Sequence, residues 1–453
     1  VKNASSDVDQ IIRNLKLNGP SSPAKLCQDL SMSQPTLHRA VKKLSSEIQA
    51  FGGPRNRIVA ALRSVRGLAQ TLPVYRISET GEAEIIGQLT PIHLKGFIWS
   101  PTAAPNRIQV FSGVPFYLDD LRPQGFLGRT FNQKFPELKL PSRLLDWTDD
   151  DHLEALTKRG EDLPGNLLIG QESFDRYQLL LRKKETSPNP TLADTYMEFA
   201  AQVSRGDSTG SSTGGEQPKF CTVIIQKKNS APPEHKHVLV KFSPESRSFA
   251  ASRWKDLLIS ESLALQVLKD SGIAASQARI IETKERVFLE VERFDRIGAH
   301  GRRPLISLAA LENEWLGRTQ SWAQSAEKLH SLGKISKGDL DRIYLLEAFG
   351  RLIGNSDRHP GNLSFEWEPT QTQARLAPTY DMLPMEFAPA SNGDDRKSIY
   401  KAPIPDSQIY SAWPKALKIA QKFWDLVAQD SRVSEEFKEI ANSAIRELAE
   451  SKI

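Results

Sequence analysis

The chain has 453 residues, of which 39% are hydrophobic and 25% charged, with a formal net charge of +5. That composition excludes a wholly disordered or fibrous protein, and the length suggests about two to four domains. No run approaches the ~18 apolar residues of a membrane span, because the best candidate, residues 345–353, is interrupted by Glu347 and Arg351; the opening VKNASSD predicts no signal peptide, and Cys27 and Cys221 make neither metal spacing nor a disulfide framework, so a reducing cytoplasm is expected.

Residues 1–76 carry twelve Lys/Arg against Asp7, Asp9, Asp29 and Glu47, a net +8 that leaves −3 for the rest. A basic head on a mildly acidic body points to a polyanion partner. From an N-cap at Asp7, Ile11, Ile12, Leu15 and Leu17 mark one helical face, ended by Asn18-Gly19-Pro20. Ser22-Pro23 starts a second helix with Leu26 and Leu30, and Ser33-Gln34-Pro35 opens a third bearing Leu37, Ala40, Val41 and Leu44. The third helix presents Gln34, Thr36, His38, Arg39, Lys42 and Lys43, hydrogen-bonding groups first and cations later, as base and phosphate contact require. Strands near 48–51 and 58–62 flank a turn holding Arg55 and Arg57, which completes a winged helix-turn-helix, a module for double-stranded DNA. A docking or dimerisation domain of the same shape fits the pattern too.

The middle is β-rich: a hairpin of 74–77 with 83–86, then strands near 92–98 and 108–111. Residues 150–205 read as helical, broken at Pro188-Asn189-Pro190, and the tract SRGDSTGSSTGG (204–215) has linker composition.

The chemistry gathers in 208–381. Gly214-Gly215-Glu216-Gln217-Pro218-Lys219 precedes a strand and lets backbone N–H groups approach phosphate; it is neither a Walker loop nor GxGxxG. Lys241 ends the strand 237–241, and Glu261 is expected to open a helix, either pairing with Lys241 or acting as a favourable first-turn acid. The strand RVFLEVERF (286–294) sits where a hinge would offer backbone groups to adenine. Leu345, Leu346, Phe349, Leu352 and Ile353 form a helical face running into GNSDRHPGN, where Asp357 and Asn362 stand at Asp-x4-Asn spacing, with Tyr380-Asp381 beyond two short strands. In phosphoryl transfer a first Asp orients the acceptor hydroxyl, while an Asn and a second Asp bind Mg2+. The order of these features, more than any one of them, carries the reading.

The segments STGGEQPKF, EVERFDR, GNSDRHPGNLSF and LAPTYDMLP resemble the HipA family of bacterial Ser/Thr kinase toxins. The fused N-terminal module makes the chain most similar to the HipH (YjjJ-type) branch, and the likeness extends more loosely to LRPQGFLGR and the C-terminal helices. The resemblance implies an α+β, two-lobed HipA/protein-kinase-like fold behind the winged helix-turn-helix. The expected domains are 1–76 (DNA binding), 77–205 (β-rich subdomain and start of the N-lobe), 206–298 (N-lobe) and 299–453 (helical C-lobe). It implies ATP and Mg2+, with Gly214, Gly215, Glu216, Gln217, Pro218 and Lys219 over the phosphates and Lys241 contacting them. Glu292, Arg293 and Phe294 would form the hinge and Asp357 the catalytic base. His359, Pro360, Gly361, Asn362, Tyr380 and Asp381 would line the nucleotide and metal site, Asn362 and Asp381 holding the metal. It implies autophosphorylation ahead of the glycines, at Ser212 first, then Ser211 and Ser208. It further implies protein acceptors such as an aminoacyl-tRNA synthetase, a cytoplasmic or nucleoid-associated location, no membrane, and a separate antitoxin where none is fused. The chain departs from eukaryotic kinases in lacking His-Arg-Asp and Asp-Phe-Gly triplets. A nucleotide-sensing transcription regulator and a small-molecule kinase remain compatible with the same residues.

Overall fold

The computed structural model describes residues 4–43, 46–182, 192–206, 217–228, 231–245, 248–390 and 399–450. The chain divides into two units, Val1–Pro123 with Phe135–Lys184, and Gln124–Lys134 with Glu185–Ile453.

The first unit begins with α1 (Ala4–Asn18), α2 (Pro23–Asp29) and α3 (Gln34–Lys43), followed by a hairpin of β1 (Ile48–Phe51) and β2 (Ile58–Ala61). Ser22 caps α2, accepting from the Lys25 N–H, with Pro23 in the first turn where its missing N–H costs nothing. Ile11, Leu15, Leu26, Leu37 and Ala40 close a small core on one face of the hairpin, formed by Ile48, Val59 and Ala61. The opposite face, Phe51, Ala60 and Leu62, packs on Ile92 and Ile98 of the next sheet. Both faces are covered, which is why β2 is apolar at every position. Two expectations change here. The first helix starts ahead of Asp7, and Leu17 is 67% exposed, because Ile11 and Leu15, one turn apart, already define the buried stripe. Leu44 lies outside the described residues.

That next sheet is antiparallel, built from β3 (Leu72–Ile77), β4 (Ala83–Ile92), β5 (Gly96–Pro101), β6 (Gln109–Phe111) and β7 (Leu167–Ile169), in the order β6-β5-β4-β3-β7. The strand expected over 92–98 is broken by a turn at 93–95, Ile92 ending β4 and Gly96 opening β5, and β7, three apolar residues inside an expected helical stretch, pairs with β3. The unit is completed by the short helix α4 (Phe116–Asp119), by α7 (Asp149–Arg159) and by α8 (Gln171–Arg182). The intervening α5 (Gly125–Arg129) and α6 (Phe131–Lys134) belong to the second unit. A capping box between Thr148 and Asp151 opens α7. Three arginines grip its acidic first turns: Arg63 on Asp150 at 2.6 Å, Arg66 on Asp151 at 2.5 Å, and Arg122 on Asp149 at 2.8 Å. The boundary expected at residue 76 therefore runs through β3, inside one unit.

In the second unit, α9 (Leu192–Gly206) precedes β8 (Lys219–Lys228), β9 (Ala231–Phe242), α10 (Phe249–Asp270), β10 (Ala278–Glu282) and β11 (Val287–Glu292). The strands form an antiparallel sheet in the order β10-β11-β9-β8. Its two faces follow the period of two along each strand. Val238, Val240, Phe242 and Phe288 pack on Tyr196 and Ala200 of α9, whereas Val287, Leu289 and Val291 pack on Leu258 of α10. Lys241, between Val240 and Phe242, falls on the α10 side. The expected boundary at residue 205 lies in α9, which covers this sheet. Short strands β12 (Arg296–Ile297) and β13 (Gly301–Arg302) lead to β14 (Ile306–Ser307), α11 (Leu308–Leu311), a π-helical turn (Glu312–Leu316), α12 (Trp322–Ser331) and α13 (Lys337–Leu352). Next come β15 (Ser364–Glu366) and β16 (Arg375–Leu376), which make a three-stranded sheet with β14, and the helices α14 (Trp413–Gln429) and α15 (Glu435–Glu450). No described helix is long and apolar enough to cross a membrane.

Candidate active site

Lys241 is buried, and its ammonium donates to both carboxylate oxygens of Glu261, at 2.8 and 2.7 Å, and to Asp381. Glu261 does not open a helix. It lies past the middle of the 22-residue α10, which begins at the Ser248 cap, so the first-turn dipole reading falls and the ion pair stands. Burial would lower the Lys241 pKa, but Asp381 and Glu261 outweigh it and raise it. Burial likewise pushes Glu261 up, against the pull of Lys241. Burial would raise Asp381 as well; Lys241 and then Lys219 hold it at about 2, a fixed anion at any working pH.

Lys219 stands directly opposite Lys241 across β8 and β9. Like charges facing each other across a sheet repel. Carboxylates gathered beneath them offset that repulsion, for the Lys219 charge acts on Glu261, Asp357 and Asp381 alike. Lys219 makes no ion pair among the described residues, whereas Lys241 is fully engaged.

The loop after α13 is held by its own sequence. Gly354, at φ 71°, ends the helix in a Schellman turn: its N–H donates to the Arg351 carbonyl at 3.0 Å, and Asn355 N–H to the Gly350 carbonyl at 2.8 Å. Asn355 Oδ1 accepts the Asp357 N–H at 3.0 Å, an Asx turn. Asn362 Nδ2 donates to the Asp357 carbonyl at 2.9 Å and lies 3.4 Å from its carboxylate. Asp357 is exposed, yet the surrounding protein, together with the Asp381 carboxylate, raises its pKa against the pull of His359. His359 Nδ1 accepts the Gly361 N–H at 3.0 Å, and Pro360 begins a 3-10 turn ending at Asn362. Tyr380 donates to the Gly361 carbonyl at 2.9 Å, and its hydroxyl meets Ser364 Oγ at 2.6 Å. Its ring lies 5.8 Å from that of Phe294, which joins the expected hinge to the loop. Glu292 ends β11 and Arg293 follows it, their N–H groups donating to the Gln277 and His237 carbonyls at 2.8 and 2.9 Å, and Arg293 pairs with Asp295. Asp381 has φ 55°, a left-handed conformation that Asp tolerates better than most residues.

The fold thus brings together Lys219, Lys241, Asp357, Asn362 and Asp381, with Phe294 against Tyr380. Gln217 is buried, and its Nε2 has no hydrogen-bond partner among the described residues. Gly214, Gly215 and Glu216, with Ser208, Ser211 and Ser212, lie outside the described residues. In the first unit Gln34, His38, Arg39, Lys42, Lys43, Arg55 and Arg57 are exposed as expected. Thr36 departs: it is half-buried, its hydroxyl 2.9 Å from the Ser33 Oγ that caps α3.

Sequence reasoning missed what braces the loop. Glu347 is buried in α13, binds Arg351 at 3.0 Å and Arg358 at 3.5 Å, and accepts the Trp322 N–H at 3.3 Å. The Trp322 indole donates to the His359 carbonyl at 3.1 Å. A Cβ on Gly350 would sit 2.6 Å from Arg358 Cδ, so this mid-helix glycine makes room for the Arg358 stem. The glycine was the available signal, since it costs about 1 kcal/mol relative to Ala unless something packs against it.

This arrangement belongs to a mixed α/β protein, and the comparisons place it with the HipA-like proteins. The HipA-like C-terminal domain family matches residues 211–451, and the middle domain of the YjjJ-like toxins matches residues 68–178. Toxin YjjJ of Escherichia coli (strain K12) is 38% identical over 444 residues, 97% of this chain and 98% of the relative. The chain belongs to the YjjJ-like toxin family, within the HipA-like proteins. Among solved structures, the HipA–HipB toxin–antitoxin system of Shewanella oneidensis MR-1 in complex with its operator DNA matches at a TM-score of 0.51 and 15% identity, over 83% of this chain and 96% of that one.

Proposed function

We propose that the chain is an ATP- and Mg2+-dependent protein serine/threonine kinase that arrests growth, with a DNA-binding winged helix-turn-helix at its N-terminus. The observation that carries the catalytic reading is the convergence of Lys241, Glu261 and Asp381 opposite the Asp357–Asn362 turn. Glu261 fixes the Lys241 ammonium, and Lys219, lacking an ion-pair partner, offers a second cation to the phosphates of ATP. The donor set suits Mg2+, which takes one or two protein oxygens with substrate phosphates and waters. Asn362, its Nδ2 turned to Asp357, keeps Oδ1 as a donor, and Asp381 stays ionised. When bound there the ion neutralises charge on the phosphate oxygens. Gln217 Nε2, orphaned and buried, is a further donor for phosphate.

Asp357 orients the acceptor hydroxyl and takes its proton as the oxygen–phosphorus bond forms and the bond from the γ-phosphorus to the ADP oxygen breaks. A raised pKa makes Asp357 a better base than an ordinary carboxylate. The acceptor is a Ser or Thr of a bacterial protein, an aminoacyl-tRNA synthetase being the first candidate from the family resemblance. Autophosphorylation at Ser212, Ser211 or Ser208 would place negative charge beside the phosphates and switch the kinase off. The test is labelled ATP with a bacterial lysate, comparing the chain with Asp357→Ala. Label in proteins only with the unaltered chain supports the kinase. ATP binding without transfer turns the reading to a nucleotide-sensing regulator, and label in a metabolite alone turns it to a small-molecule kinase.

A further inference from the structure

We infer that the middle domain supplies part of the DNA interface, through the loop between β5 and β6 and its cation Arg107. The inference rests on the DNA-binding reading of the N-terminal helices and hairpin, and extends it beyond them.

The hairpin turn carrying Arg55 and Arg57 is clamped to that loop. Asn56 uses both ends of its amide: Oδ1 accepts the Gly53 N–H at 2.8 Å and closes the turn, while Nδ2 donates to the Asn106 carbonyl at 2.8 Å. A Cβ on Gly53 would lie 3.2 Å from Asn106 Cβ, so the two turns are in van der Waals contact. Arg55 and Arg57 flank Asn56, and Arg107 follows Asn106. All three arginines are exposed, and none forms an ion pair among the described residues. The fixed hydrogen bonds of the clamp keep the three residues on neighbouring turns, where their charges add to one cationic edge. An extended polyanion is the partner such an edge suits, and Arg suits phosphate because its planar fork donates in pairs.

The attachment behind the turn is equally firm. Leu62 bridges to Ile92, the Arg63 N–H donates to the Pro91 carbonyl at 3.1 Å, and the His93 N–H to the Ala61 carbonyl at 2.9 Å. The Arg63 guanidinium holds Asp150 of α7. Where the hairpin tip meets a duplex backbone, Arg107 is carried to the same backbone. Duplex DNA is favoured over RNA because α3, on the same core as the hairpin, exposes Gln34, His38, Arg39, Lys42 and Lys43, and the major groove of B-form DNA admits a helix whereas that of A-form RNA is too narrow.

The test measures binding of the full chain to a fluorescent mixed-sequence DNA duplex over roughly 50–200 mM salt. Arg107→Gln should lower the slope of log K against log salt by about 0.9, the loss of one phosphate contact. Across that salt range this amounts to about a three- to four-fold smaller drop in affinity. Arg55→Gln with Arg57→Gln should lower it further, and Arg143→Gln, an equal loss of charge at an exposed position of the same unit, should leave it unchanged. Equal thermal midpoints confirm that the variants are folded. Unaltered binding by Arg107→Gln overturns this inference and leaves the DNA reading standing. No salt-dependent duplex binding by the unaltered chain overturns that reading itself. Tighter binding of a hairpin RNA than of the duplex at equal salt overturns the choice of DNA.

Discussion

Two charge clusters dominate the two units, and they are built on opposite rules. In the first unit the acids at the start of α7 are each met by arginine, at the helix end where negative charge is already favoured, with Arg66 still 45% exposed. In the second unit a single buried lysine is shared by two carboxylates, with Lys219 opposite and Asp381 in a left-handed conformation. The first cluster satisfies each charge locally and fastens segments far apart in sequence. The second leaves capacity: an unpaired ammonium, an exposed carboxylate with a raised pKa, an amide oxygen to spare. Unpaired charge remains in the candidate site, and the acids are all paired where only shape is required.

The sharpest test of that contrast is Asp357→Ala, expected to cut phosphoryl transfer by about 10²–10⁴-fold with an unchanged thermal midpoint. Transfer near the unaltered rate removes Asp357 from the role of base. Lys241→Met comes next. It leaves the buried Glu261 and the half-buried Asp381 without their shared cation, and breaking a buried pair this way costs about 3–5 kcal/mol, whereas Arg122→Met should cost no more than about 1 kcal/mol because its partner Asp149 is 38% exposed to water. Calorimetry of the two variants separates them, and equal losses would erase the distinction between the clusters.

Glu347→Gln should lower kcat by about tenfold with KM for ATP held, since Glu347 is buried in α13 and reaches the loop only through Arg358 and Trp322. A parallel rise in KM would show that the brace shapes the nucleotide pocket as well. The smallest effect is in pH. The raised Asp357 pKa places the acid limb of the rate profile above the ordinary carboxylate value of about 4. In the first unit, burial and Arg122 hold His152 at about 4, below its usual 6.5, so the unfolded chain takes that proton first. Stability of that unit is then present above about pH 6.5 and is lost as pH falls towards 4; His152→Gln should flatten the loss in a thermal-midpoint series.

Much of the site was legible because its residues lie at fixed spacings on elements of clear period: Lys241 on an alternating strand, Asp357 and Asn362 after a strongly apolar helix. The position of Glu261 within α10 was misread because residues 249–260 mix Arg, Lys and Asp with apolar residues, and α10 is buried on several sides, which blurs the stripe that marks a start. β7 escaped because three apolar residues carry no period. Glu347 and Arg351 were seen only as interruptions of an apolar run. Their role depends on Arg358 and Trp322, and no spacing rule brings those residues to them.

The hairpin of β1 and β2 also limits how this family can change its length. Ile48, Val59 and Ala61 serve one core while Phe51, Ala60 and Leu62 serve another, so its alternation is read twice. Inserting one residue in either strand would turn every later side chain to the opposite face and spoil both cores at once. Length variation should therefore be tolerated between Gly53 and Arg57 only as far as the Asn56–Asn106 clamp allows, and within the strands only in pairs of residues.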